Sequence, residues 1–243
     1  MANYELVPFQ NAPQLAREAA RQWLDELQSI QCGQTGSGYS VALAGGRIAG
    51  DFFSAVTELA KGRNLFLDSV HFFWGDERCV PPDDPQSNYR LAREHMLEPL
   101  RIAQTQIHRI RGEEEPQKAA RLASEELCAV LTKDSAGIPI LDMVFLGMGE
   151  EGHTASLFPG DEQAQPAHGV YRAVVTPKPP PHRVTLDYAP LAVARQVWVL
   201  VSGADKERAL KESLEFPQRT PLGRVLASRA QTRVLTDLPV ISS

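Results

Sequence analysis

The sequence predicts an α/β fold with a parallel sheet covered by helices on both faces. Three observations carry that expectation. Short, continuous apolar runs recur, such as "YSVALA" at 39–44 and "LDMVFLG" at 141–147. A strand buried on both faces reads as such a run, whereas a half-exposed strand alternates. Amphipathic helical patterns separate the runs, the order expected of βαβ units. Glycine- or proline-rich loops follow several of them, and in such sheets ligands bind beyond the carboxyl ends of the strands.

The elements follow in order. Residues 13–31 place Leu15, Ala19, Trp23, Leu27 and Ile30 on one helical face. "GQTGSG" at 33–38 should break that helix. The strand at 39–44 runs into Gly45-Gly46 and a helix over 48–60. "SVHFFWG" at 69–75 is the next strand, and "DERCVPPDDPQ" after it reads as a long polar loop. Ser87 is an expected N-cap for a helix over 88–100, and 117–131 is another helix. Strands are expected at 141–147, 170–175, 183–187, 196–202 and 232–237, with a helix at 205–214. The informative loops should be those after 44, after 74, after 146 and around 176–183.

Composition narrows the function classes. With 243 residues, 43% hydrophobic and 23% charged, the chain has enough apolar material for a sizeable core. A net charge of −5 argues against a nucleic-acid surface, which needs clustered Lys and Arg. A local basic pocket for a small anion remains compatible with it. No apolar run approaches bilayer length, and "MANYELVPFQ" has neither the basic stretch nor the apolar core of a signal peptide. Cys32, Cys79 and Cys128 are an odd number without CxxC spacing, so a reduced, cytoplasmic protein is expected.

The motif Gly147-Met148-Gly149-Glu150-Glu151-Gly152 has the G-x-G-x-x-G spacing of a dinucleotide loop. That reading fails on its context. Glu150 and Glu151 bring negative charge where a pyrophosphate would lie, Pro159-Gly160 stops any following helix, and the strand at 170–175 ends without an acidic residue. Two further readings remain, a tight turn and a site built around His153. A carboxylate beside an imidazole raises its basicity and fixes its orientation, which suits general acid–base work.

Three other stretches carry chemistry. In "GDERCVPPDDPQSN", Asp76, Glu77 and Arg78 are consecutive and cannot all face one way. Arg78 is a candidate to hold a carbonyl oxygen or phosphate, against a plain solvated loop. Cys79 reads as packing. In "ALAGGRIAGDFF", Gly45 and Gly46 open a helix whose N-terminus favours an anion, with Arg47 beside it. It is not a P-loop, because no G-K-[ST] follows. In "TPKPPPHRVTLD", three prolines stiffen the loop between Lys178 and Arg183, and two cations there suit a phosphate or simply solvent. No G-x-S-x-G elbow is present, so Ser156 is a poor nucleophile, and the six histidines lack zinc-ligand spacing.

Taken together, "ALAGGRIAGDFFSAV", "VHFFWGDERCVPPDDPQSNYRLAREHML", "LDMVFLGMGEEGHTASLFPG" and "KPPPHRVTLD…QVWVLVSGADKERAL" resemble the 6-phosphogluconolactonase family. The segments stand in that family's order, and "GHTASLFPG" and "DERCVP…SN" are the most specific. The resemblance covers nearly the whole chain. It implies a single domain over 1–243 with a modified Rossmann-like three-layer fold and a mostly parallel central sheet. It implies hydrolysis of 6-phospho-D-glucono-1,5-lactone to 6-phosphogluconate in the oxidative pentose phosphate pathway. Neither cofactor nor metal is implied, and neither a nucleic-acid nor a membrane partner; a monomer or weak homo-oligomer is expected.

Carried over by residue, the resemblance makes His153 the group that activates water. Glu151 stands where the family usually has Asp, one methylene shorter. Asp76 and Arg78 match the family's Asp-Glu-Arg motif, and Gly45, Gly46 and Arg47 its phosphate loop. Ala44 stands where Ser is frequent, and Ile48-Ala49 where Thr-Pro is usual. Asn88, Lys178 and Arg183 complete the implied substrate and phosphate contacts. Glucosamine-6-phosphate deaminases share the wider group but lack the "HTASLFPG" run. A non-catalytic sugar-phosphate sensor is the other alternative, with no DNA-binding helix pair evident to serve it.

Overall fold

The computed structural model describes residues 3–33, 38–161 and 169–239. The expected helix break at 33–38 lies largely outside them, as does the side chain of Cys32. Six strands form the central sheet: β1 (Glu5–Pro8), β2 (Tyr39–Leu43), β3 (Val70–Trp74), β5 (Met143–Gly147), β8 (Gln196–Val201) and β9 (Arg233–Thr236). Their order is β1-β9-β8-β5-β2-β3, and every pairing is parallel. All five residues of β2 are buried, as the continuous apolar run requires of a sheet covered on both sides.

Helix α1 (Ala12–Gly33) packs beside α2 (Arg47–Arg63). Trp23 of α1 and Phe52 of α2 both meet the ring of Phe145 in β5, with centroids 5.4 and 4.6 Å apart. These three side chains are almost fully buried, so one aromatic cluster fastens two helices to the middle of the sheet. The chain leaves β2 toward β3 on one side, while β5, β8 and β9 lie on the other. The strand order therefore reverses between β2 and β5, and the loops after them diverge and open a crevice.

Several expectations need correction. Asp76–Arg78, expected in a loop, is a short strand, β4. It pairs antiparallel with β7 (His182–Leu186), which pairs antiparallel with β6 (Tyr171–Val175). The runs at 170–175 and 183–187 thus build a separate three-stranded sheet instead of extending the parallel one. Gly75 is the corner between the sheets: its N–H donates to Leu43 O and its carbonyl accepts from Leu186 N, both at 2.8 Å. The helix expected over 88–100 is α-helical only as α3 (Asn88–Ala92), then widens into a π turn at Arg93–Leu97. Ser87 caps it as expected, accepting from Arg90 N.

Helix α4 (Pro116–Val130) matches its expected span. The pattern at 205–214 begins as a 3-10 turn (Ala204–Lys206) before α6 (Glu207–Glu215). β1, α5 (Tyr188–Val193) and α7 (Pro221–Ala227) were not anticipated. Each is too short for a periodic signal to accumulate.

Candidate active site

The cleft at the strand-order reversal takes its walls from the loops after β2, β3 and β5, together with β7. Among the residues lining it are Gly45, Gly46, Arg47, Asp76, Arg78, Asn88, His153, Arg183 and Lys206. Four cations face a single carboxylate. The pocket is therefore locally basic on a chain of net charge −5, as an anionic small molecule requires.

Pleating solves the problem posed by three consecutive charged residues. In β4, Asp76 and Arg78 point into the cleft and Glu77 points away. Glu77 is buried and anchors the next segment. Its carboxylate accepts from the backbone N–H groups of Arg78, Asn88 and Tyr89 at 2.7–2.8 Å and from Ser87 Oγ at 3.0 Å. Burial pushes its carboxyl up to about 7 against the pull of those backbone donors.

Asp76 is buried too, and its oxygens are individually held. Ser156 Oγ donates to Oδ2 at 2.6 Å, and Asn88 Nδ2 donates to Oδ1 at 3.2 Å and to the Asp76 carbonyl at 2.9 Å. Asn88 is thus a strut for Asp76 as well as a cleft residue. A Cβ on Gly45 would lie 1.9 Å from Asn88 Oδ1, so only glycine lets the phosphate-loop candidate approach this closely. Ser156, a poor nucleophile from its sequence context, has a structural part here. It is fully buried and acts as a donor to Asp76.

The guanidinium of Arg78 is anchored at one corner, Nη1 donating to Gln86 O at 2.6 Å, while its Nε is buried without a protein partner. Arg183 donates to the carbonyls of Pro180 and Lys178 at 3.0 and 3.3 Å and to Ser156 Oγ at 3.4 Å. Its burial lowers its pKa, with Asp76 opposing. The cost of holding this desolvated cation falls when an anion arrives.

At the other end, Gly46 caps α2 with φ 93° and no side-chain acceptor, leaving the helix N-terminus without a side-chain partner. Arg47 and Lys206 stand there. Lys206 was missed from sequence, where it reads as one charge in a helical pattern. Its position just past β8, after a glycine at φ 111°, was the available signal. Burial lowers its pKa, and Arg47 adds to the effect.

His153 sits in the loop after β5. Glu151 Oε2 lies 3.0 Å from its Nδ1, an ion-pair distance, but off the line of a hydrogen bond. The ring stacks on Phe158 with centroids 4.2 Å apart and planes 18° apart. Burial lowers the pKa of His153, with Glu151 pulling the other way. The base form is therefore available at neutral pH. For Glu151, burial pushes the carboxyl up. Its own backbone N–H, Lys178 and His153 together outweigh that and hold it below the usual range.

The glycine spacing has a local explanation. No helix opens at Gly152, as the dinucleotide reading would need. Gly152 takes φ 80° and packs against Thr220. A Cβ on Gly149 would lie 2.0 Å from His153 Cε1 and 2.7 Å from Glu151 Oε2. Gly149→Ala should therefore displace the imidazole and lower kcat by about 100-fold, the order of loss for an ångström of misplacement. Thermal unfolding should change far less. Turnover within a fewfold of wild type would show that the ring need not sit where it does.

Lys178, expected among the phosphate contacts, pairs with a carboxylate. It does not line the cleft; its ammonium lies 3.0 Å from Glu151 Oε1. Cys79 is half-buried packing with its thiol pushed up to about 11 by burial, in keeping with a non-nucleophilic role. Among the described residues, no cluster of three His, Cys, Asp or Glu is placed to hold a metal, and no helix is long and apolar enough to cross a membrane.

Comparison with known proteins adds independent evidence. Residues 10–235 match the family described as glucosamine-6-phosphate isomerases/6-phosphogluconolactonase. A 6-phosphogluconolactonase of Treponema pallidum (strain Nichols) is 35% identical over 177 residues, 73% of each chain. One from Haemophilus influenzae is 31% identical over 202 residues, 81% of this chain and 84% of the relative. The solved structure of a 6-phosphogluconolactonase from Trypanosoma cruzi superposes with a TM-score of 0.81 at 26% identity, covering 97% of this chain and 96% of that one.

Proposed function

The chain belongs to the glucosamine-6-phosphate isomerase/6-phosphogluconolactonase family and has the hydrolase activity of its lactonase branch, in the pentose phosphate pathway; we propose that this hydrolysis runs by histidine-assisted attack of water on the lactone carbonyl. The substrate on this reading is 6-phospho-D-glucono-1,5-lactone and the product 6-phosphogluconate. The observation that carries the mechanism is His153, a partly buried imidazole at the edge of a four-cation cleft with a carboxylate 3.0 Å from its far nitrogen.

A δ-lactone is an activated ester, so water suffices as nucleophile when a base assists. His153 removes a proton from water as the oxygen attacks the carbonyl carbon. Charge develops on the carbonyl oxygen, and Arg78, whose side chain lines the cleft, is the cation that meets it. As the tetrahedral centre collapses, the bond to the ring oxygen breaks and His153 returns the proton to that oxygen. Glu151 stabilises the imidazolium in between. The phosphate lies at the α2 N-terminus, against Gly45, Gly46, Arg47 and Lys206, which positions the ring. Asp76, held by Asn88 and Ser156, orients the middle of the cleft, and Arg183 supplies charge there.

The test generates the lactone in situ with an excess of its dehydrogenase and couples product to 6-phosphogluconate dehydrogenase. The protein should accelerate ring opening well above the spontaneous rate. Burial holds the His153 pKa below its ordinary 6.5, so kcat/KM should stay level near neutrality and fall only as pH drops through that lowered value. No acceleration, or ammonia release from glucosamine-6-phosphate instead, would remove the lactonase assignment.

A further inference from the structure

Lys178 has two independent contacts that a phosphate ligand would not need. Its Nζ lies 3.0 Å from Glu151 Oε1 and 3.1 Å from Oε2, so one ammonium grips both oxygens of that carboxylate. Its own carbonyl accepts from Thr176 Oγ1 at 3.1 Å and from Arg183 at 3.3 Å, which fixes the main chain that carries it. One of those two oxygens, Oε2, also lies 3.0 Å from His153 Nδ1.

We propose that Lys178 is a positioning residue for the histidine, acting through Glu151, and that it does not bind the substrate phosphate. This rests on the mechanism proposed above. Glutamate has one more rotatable bond than aspartate, so a second partner is needed to fix its carboxylate beside Nδ1. Gripping both oxygens removes that freedom and keeps one of them turned to the imidazole. The ion pair is half-exposed, so its contribution to overall stability is small. Its effect belongs in the orientation and tautomer of His153. The other charges facing this group are Asp76, toward His153, and Arg183, toward Glu151. Both stay in place when Lys178 is changed.

The experiment compares Lys178→Met and Lys178→Arg in the coupled lactone assay. Lys178→Met should lower kcat about tenfold, less than the 10²–10⁴ of losing a general base altogether. KM and inhibition by 6-phosphogluconate should barely move, and Lys178→Arg should recover most of the rate. A rise in KM and in the product inhibition constant at unchanged kcat would make Lys178 a phosphate ligand and overturn the proposal. Unchanged kinetics would overturn it too.

A second readout is independent of lactone chemistry. Nitrogen-15 NMR of the neutral His153 ring should show the proton on Nδ1 in wild type and a shift toward Nε2–H in Lys178→Met. A tautomer ratio that does not respond would sink the positioning role even where the enzyme is active. A clear response in a protein without lactonase activity would keep the positioning role and reject the reaction.

Discussion

His153→Ala is expected to lower the protein-dependent rate of lactone hydrolysis by about 10²–10⁴-fold while leaving 6-phosphogluconate binding in place. The imidazole is the group that moves the proton in both halves of the proposed reaction, and no second histidine lines the cleft among the described residues. The phosphate end, with Arg47 and Lys206 at the start of α2, is built from different elements and should be untouched. The measurement is the coupled assay beside a direct titration with product. Turnover close to wild type would take His153 out of the mechanism, whereas loss of product binding would mean it also shapes the ligand pocket. His153→Gln serves as a check on packing, because it keeps a polar side chain of similar reach against Phe158.

Glu77→Ala should destabilise the protein by about 3–5 kcal/mol, although Glu77 touches no substrate on this reading. Its removal strands three buried or partly buried backbone N–H groups, of Arg78, Asn88 and Tyr89, together with the buried Ser87 hydroxyl. Those groups are the junction between β4 and α3, so Asp76, Arg78 and Asn88 lose their common support. For a chain of this size the thermal midpoint should fall by about 10 °C. Glu77→Gln keeps the shape but turns an acceptor into a donor facing N–H groups, and should fall between the two. A shift of less than about 2 °C for the alanine variant would show that water replaces the carboxylate without cost, contrary to the expected penalty for unsatisfied buried donors.

The two predictions separate kinds of residue that the sequence shows side by side. Asp76, Glu77 and Arg78 are three consecutive charged residues on paper. Only the pairing of β4 with β7 decides which two face the cleft, and that pairing joins residues about a hundred positions apart. The same holds for Ser156, whose hydroxyl meets Asp76 across 80 residues, and for Lys206, brought beside Arg47 by the parallel pairing of the central strands.

What the amino-acid order determines by itself is local. Continuous apolar runs at 39–44, 141–147 and 196–202 specify strands that must be buried on both faces, and the β2-α2 glycines specify a helix start without a side-chain cap. The short run of glycines around His153, together with the absence of a following helix and of an acidic strand end, is enough to reject a dinucleotide loop. The small antiparallel sheet, the strut from Asn88 to Asp76 and the pairing of Lys178 with Glu151 were decided only in the tertiary structure. Their physical reason is common. Periodicity and turn chemistry act over a few residues, whereas a carboxylate's partner is chosen by whichever cation the packed backbone brings within about 3 Å of it.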